Sequence, residues 1–239
     1  MKVSMRQFMP NWTTNTLKAP VAVLSKYINK DEEGYDRFDF NLIIPRPKIY
    51  DDPDLVSGGH QDVAIYWYRS ERGTKEPEKI NMNHTTGFSP IYERILYEKI
   101  NGICSWARGD AKTFGRNPYL FGKDPDEIYE IGRKYIEAYE KYGFLDWYDW
   151  SNVNWGTKWN ACNTYFDPEN EKVDFSTAWS YPKPIIEKIF ADNPNCHIDF
   201  WWSDEDYDGD HWMIREEDGS LTEGVEYNES HYLDWSEDE

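Results

Sequence analysis

Leu17-Lys18-Ala19-Pro20 and Trp179-Ser180-Tyr181-Pro182 open two segments of the chain that echo each other. After the first come apolar residues at helical spacing (Val21, Leu24, Tyr27, Ile28), then the alternating run Phe38, Phe40, Leu42, Ile44. After the second come Ile185, Ile186, Ile189 and Phe190, then Ile198, Phe200 and Trp202. Each segment reads as strand, proline-opened helix, strand. Proline in the first helical turn loses nothing, because its missing N–H has no intrahelical partner there. Period-two alternation puts one face of each strand on a core and the other in water.

Two such units are the halves of a ferredoxin-like α+β sandwich, an antiparallel sheet with both helices on one face. Turn signals extend the sheet. Asn160–Phe166 and Lys172–Tyr181 flank Asp167-Pro168-Glu169-Asn170, with Pro at the second turn position. His211–Glu216 and Val225–Tyr227 flank Asp218-Gly219 as a C-terminal hairpin. The core is then split, residues 10–48 and 151–227, around a mainly helical insertion, 49–150, and is followed by an acidic tail, 228–239. Within the insertion, Asp124-Pro125-Asp126-Glu127 opens a helix whose stripe is Ile128, Ile131, Tyr135, Tyr139 and Tyr142, with Gly143 as its C-terminal cap. Pro90–Ile100 reads as a shorter helix with Ile91, Ile95 and Leu96 inward, and Val63–Tyr68 as an extra strand. Gly58-Gly59 and the Gly, Asn and Pro residues of Gly109–Gly122 read as mobile connections.

The 239 residues carry a net charge of −19, and 17% of them are aromatic, twelve being Trp. So many aromatics belong to a folded chain rather than a disordered one. The charge is concentrated. Asp204–Glu239 holds fifteen carboxylates against Arg215 alone, which accounts for −14 and leaves −5 for the first 203 residues. Such a field repels nucleic acid and anionic lipid and attracts cations or the basic groove of a protein. Cys104, Cys162 and Cys196 are odd in number and widely spaced, which argues against a disulfide framework or zinc site and fits a reducing cytoplasm. Cys162 and Cys196 read as core. No apolar run reaches the ~20 residues of a membrane helix, and Met1–Pro10 lacks a signal-peptide segment.

Asp146-Trp147-Tyr148-Asp149-Trp150 leads into Asn154-Trp155-Gly156-Thr157-Lys158-Trp159-Asn160-Ala161. With Met9-Pro10-Asn11-Trp12 and Phe175-Ser176-Thr177-Ala178-Trp179-Ser180 followed by Pro182, this run resembles the YubB/Api-like family of phage and plasmid proteins. The resemblance implies a ferredoxin-like domain and a mobile-element origin. It implies no catalytic residues, so none is carried over. Two readings of Trp155, Lys158 and Trp159 stand open: packing in the core and at a hairpin, or an exposed recognition patch.

Constellations for chemistry are sparse. Asp204-Glu205-Asp206-Tyr207-Asp208-Gly209 matches the first half of a calcium-binding EF-hand loop, but the twelfth position is Arg215 and the flanks read as strands. Asp204, Asp206 and Asp208 are the one place a divalent cation would gather. No other cofactor is implied. His60, His84, His197, His211 and His231 show no metal-ligand spacing, although His197 and His211 fall on adjacent strands near Asp199. Glycine-rich phosphate loops and nucleophile elbows are absent from the sequence. Arg94, Lys99, Arg108, Lys112, Arg116 and Lys123 stand against only Glu98 and Asp110, an anion-binding patch or an ordinary mixed surface.

The expected function is binding rather than catalysis: a mobile-element accessory protein that inhibits a host nucleic-acid-processing defence complex, of the CRISPR-effector or restriction-nuclease type. Its partner-binding set is Asp204, Glu205, Asp206, Asp208, Asp210, Glu216, Glu217 and Asp218, with Trp155, Lys158 and Trp159. The partner is a host protein with a basic nucleic-acid-binding surface. Neither direct DNA binding nor membrane association is expected, and the chain is a monomer or small homo-oligomer in the cytoplasm. The alternatives are a nucleotide-, RNA- or metal-binding enzyme using residues 94–123, and a self-associating structural protein.

Overall fold

The structure is a computed structural model, and it describes residues 11–79, 94, 98–117, 119–205, 209–216 and 219–226. The chain divides into two compact units, one of residues up to Pro45 together with those from Ser151 onward, the other Arg46–Trp150.

The first unit is built on a six-stranded antiparallel sheet. Its strands are β1 (Trp12–Lys18), β4 (Cys162–Asp167), β5 (Lys172–Ala178), β6 (Ile198–Asp204), β7 (Asp210–Arg215) and β8 (Leu221–Glu226), in the order β4-β5-β1-β6-β7-β8. A separate hairpin pairs β2 (Ile28–Lys30) with β3 (Asp36–Phe38). The central four, β4-β5-β1-β6, have the order of a ferredoxin-like domain, extended on the β6 side by β7 and β8. β5 and β6 run parallel on either side of β1, so they need a crossover, and the helix Lys183–Asp192 supplies it. Its stripe Ile185, Ile186, Ile189 and Phe190 is buried with Leu17, Val173, Phe175, Ile198 and Phe200 from one face of the sheet.

The first echo folds differently from the second. Its helix is the single turn Val21–Leu24, and the run Phe38, Phe40, Leu42, Ile44 does not enter the large sheet. Phe38 ends the small hairpin, and Phe40–Leu42 is a 3₁₀ turn capped by Asp39, whose side chain accepts from the Asn41 N–H. Phe38 and Phe40 are still fully buried, against each other and Phe175, with Trp155 edge-on to Phe40. Their backbone N–H groups donate to Thr164 Oγ1 (3.1 Å) and Asn160 Oδ1 (2.9 Å). Side-chain acceptors thus replace a strand ladder, and period-two burial is met without sheet pairing. The place in the sheet goes to β4. The C-terminal hairpin forms as expected from its turn, with β7 and β8 in register.

In the second unit the helix Pro125–Tyr142 carries the capping box at Asp124 and Glu127, and Gly143 closes it with φ +80°. Ile128, Ile131, Tyr135 and Tyr139 are buried as the stripe requires. The expected strand Val63–Tyr68 lies instead in the helix Gly59–Arg69. Four consecutive buried residues, Val63–Tyr66, carry no period that separates a buried strand from a helix wrapped on all sides. The helix is seated on Gly132, where an added Cβ would lie 2.1 Å from the Ala64 carbonyl oxygen. Gly59 and Gly109 are helical too, in Gly59–Arg69 and Cys104–Ala111, so those two connections are shorter than the glycines imply. The expected helix Pro90–Ile100, with Ile91, Ile95 and Leu96, and the tail 228–239 lie outside the described residues but for Arg94 and 98–100, which are helical.

Candidate functional site

Two loops of the first unit, the one after Asn154 and the one after β5, are braced against each other. Thr157 Oγ1 donates to the Ala178 carbonyl (2.8 Å), and Ser180 Oγ donates to the Gly156 carbonyl (2.6 Å). Thr177 Oγ1 donates to the Ser180 carbonyl (2.8 Å), and the Trp179 N–H donates to the Asn11 carbonyl (2.9 Å). Gly156 takes φ +80° beneath the second loop, where a Cβ would meet Pro184 Cδ at 2.8 Å and the Lys183 nitrogen at 3.0 Å. The close approach and the left-handed backbone each require glycine there.

This frame splits the Trp-rich motif. Trp155 turns inward, 1% exposed, and its Nε1–H donates to the Ile44 carbonyl at 2.9 Å. It belongs to the core, which removes it from the partner-binding set. Trp159 is 38% exposed, with Lys158 Nζ lying 3.9 Å from its ring centroid and 5.5 Å from that of Trp179. Trp12 sits 6.1 Å from Trp159, centroid to centroid. Trp179, which sequence reasoning did not single out as a site residue, is 58% exposed and has φ +76°. A bulky side chain in that region costs about 1–3 kcal/mol and persists only where surrounding contacts enforce it. The other non-glycine residues with positive φ among the described residues are polar: Glu71, Arg72, Asn163 and Glu171. The signal for Trp12 and Trp179 was present. Each of the three motifs behind the family resemblance supplies one tryptophan, and the three meet in space.

β6 ends at Asp204 at the same end of the sheet. Thr13, next to Trp12, pairs with Thr177 on one side and Asp204 on the other, and its Oγ1 donates to Asp204 Oδ1 at 2.5 Å. Glu205 is exposed and Asp210 half-buried. Glu216 is exposed at the opposite end of β7 and accepts from Thr222 Oγ1 at 3.1 Å. The six residues of β7 separate the two groups by about 20 Å, so the described members of the acidic set stand toward both ends of β7 rather than in one cluster. Asp206, Asp208, Glu217 and Asp218 lie outside the described residues. Among the described residues no three His, Cys, Asp or Glu side chains are placed to hold a metal ion.

The remaining candidates resolve individually. His197 and His211 are not brought together. His197 Nε2 lies 2.8 Å from Asp199 Oδ1 and its Nδ1 lies 3.0 Å from the Arg215 carbonyl, whereas His211 stacks on Trp202 at the far end of the hairpin. Cys162 and Cys196 are half-buried rather than core, and burial pushes the Cys162 thiol up. Four of the six basic residues of the 94–123 stretch have partners: Arg94 with Glu98, Lys99 with Gln61, Arg108 with Glu76 and Lys123 with Asp54. A buried network in the same unit joins Gln61 Nε2 to Asp146 Oδ2 at 2.8 Å. Burial raises the Asp62 and Asp149 carboxyls, with Asp146 adding to the second and Lys99 opposing both. Burial also holds His60 toward its neutral form, 3.2 Å from the Tyr135 hydroxyl. No helix among the described residues is long and apolar enough to cross a membrane.

Fold and site together define an α+β protein with a ferredoxin-like domain that presents an aromatic–lysine patch beside an acidic turn. Residues 154–231 match the family model described as a ferredoxin-like domain in Api92-like protein, a span that holds two of the three motifs behind the resemblance. The chain is also similar to the crystal structure of a protein api92 from Yersinia pseudotuberculosis, at 12% identity over 92% of this chain and 99% of that one, with a TM-score of 0.39. No curated protein matches.

Proposed function

We propose that this is a mobile-element accessory protein that binds and inhibits a host nucleic-acid-processing defence complex, its carboxylates standing where DNA or RNA phosphates would sit. The observation that carries this reading is the concentration of −14 in the last 36 residues, part of it spread along the β6–β7–β8 ribbon. Over about 20 Å, duplex DNA presents about a dozen phosphates. From Asp204 to Glu226 the chain carries ten carboxylates and one base. A groove lined with Lys and Arg that gains affinity from the first gains it from the second for the same electrostatic reason. An enzyme built on the 94–123 basic stretch is disfavoured, because most of those cations are already paired within their own unit.

The test is capture from host lysate by the full chain and by a variant with Asp204, Asp206, Asp208 and Asp210 changed to Asn, in low and high salt. The expected result is a nucleic-acid-processing complex bound by the native chain, released by salt and missed by the variant. Capture unaffected by either change overturns mimicry.

A further inference from the structure

We propose that Trp159 and Trp179 form a slot for an arginine side chain of the partner, with Lys158 as its resident occupant in the free protein. This rests on the reading of the partner as a protein with a basic groove. A cation already lies over both rings, at 3.9 and 5.5 Å from their centroids. Both indoles are exposed, at 38% and 58%. An ammonium on a four-carbon stem is strongly hydrated and returns to water readily, while a planar guanidinium is weakly hydrated and stacks on an indole face. Arginine is thus the better occupant.

Three further observations support the slot. The rings sit on loops locked by the hydrogen bonds of Thr157, Thr177, Ser180 and the Trp179 N–H, so little conformational freedom is lost on binding. Trp179 is held in a left-handed backbone conformation while exposed, an arrangement that burial of its ring does not explain. Asp204 lies one strand from Thr13, next to Trp12, which supplies a carboxylate at the same end of the sheet. The acidic ribbon supplies attraction to cations, and the slot adds a preference for arginine beyond the one that bidentate pairing with carboxylates gives.

The experiment measures binding of nona-arginine and nona-lysine peptides to the full chain by fluorescence anisotropy at matched ionic strength. One seated guanidinium is worth about two- to fivefold in affinity at an exposed aromatic site. The native chain is therefore expected to bind nona-arginine tighter than nona-lysine by at least that factor. Trp179→Gly and Trp159→Ala should each lower the ratio by that factor, and Lys158→Ala should raise nona-arginine affinity more than nona-lysine affinity by emptying the slot. Trp179→Gly also relieves the backbone, so its melting temperature should equal or exceed the native value, which separates loss of the slot from loss of the fold. An arginine preference left at its native size by both Trp changes, or a Lys158→Ala gain no larger for nona-arginine than for nona-lysine, overturns the slot. Changing Asp204, Asp206, Asp208 and Asp210 to Asn should weaken both peptides and leave the Trp-dependent part of the ratio in place. If that variant binds as the native chain does while the ratio persists, the acidic reading fails and the slot stands.

Discussion

Replacing Trp155 with Phe tests whether the central motif is read correctly as a core anchor. The indole is 1% exposed and lies edge-on to Phe40 with centroids 5.8 Å apart. Phenylalanine keeps an aromatic ring but lacks the Nε1–H that reaches the Ile44 carbonyl at 2.9 Å. Leaving that carbonyl without the donor costs about 1–3 kcal/mol. The volume lost with the second ring adds about 1–2 kcal/mol, because a close-packed core relaxes only in part. The sum is roughly 2–5 kcal/mol. For a unit of this size each kcal/mol lowers the melting temperature by about 3–4 °C. Differential scanning calorimetry should therefore show the transition of the first unit falling by roughly 6–20 °C. Trp159→Phe, at a ring 38% exposed, is the control and should stay within about 0.5 kcal/mol of the native chain. A Trp155→Phe shift below about 2 °C, or one no larger than the control, would refute the assignment of Trp155 to the core.

Two further predictions concern the second unit. Gly132→Ala places a Cβ 2.1 Å from the Ala64 carbonyl oxygen and 2.7 Å from Tyr68 Cβ, so the two helices must separate. Against a gain of about 1 kcal/mol in helix propensity, overpacking should leave a net loss of about 2–3 kcal/mol, read as a lower urea midpoint. A neutral or stabilising effect would mean that the helices do not meet there. Asp62 has a folded-state pKa raised chiefly by burial, with Lys99 opposing. The folded state then binds the proton more tightly than the unfolded one, and the stability tied to that proton falls as pH rises from the ordinary carboxylate value through the raised one. Asp62→Asn should raise the melting temperature at pH 7 and make no difference below pH 3. A lower melting temperature at pH 7 would show that the ionised carboxylate is a stabilising partner.

Local signals in the sequence were sufficient where one segment settles its own structure. Asp124-Pro125-Asp126-Glu127 and Gly143 bound a helix through hydrogen bonds made within a few residues, and both ends form as read. Asp167-Pro168-Glu169-Asn170 likewise closes β4 onto β5, with Asp167 accepting from Asn170 at 2.8 and 3.1 Å. Phe38 and Phe40 show the limit. Alternating burial is a property of side chains, and Thr164 and Asn160 supplied the backbone acceptors that a sheet partner would have given. Val63–Tyr66 misled for a related reason, since a segment buried on every side has lost the period that separates helix from strand.

The candidate site divides the same way. Charge is additive along a chain, so the sign and place of the acidic C-terminal stretch were legible from the residues alone. That Asp204 and Glu216 stand at opposite ends of a strand was not. Nor was the division of Trp155 from Trp159, because a tight turn at Gly156 sends neighbouring rings to core and surface, and only the second loop packed against it decides which. The sequence by itself determined the ferredoxin-like half spanning β5, the crossover helix and β6, the capped helix of the insertion, and the sign and place of the charge. Tertiary structure alone brought Trp12 beside Trp159 and set Lys158 over Trp159 and Trp179, because contacts between residues far apart in the chain are made by sheet register and loop bracing, which no local pattern encodes.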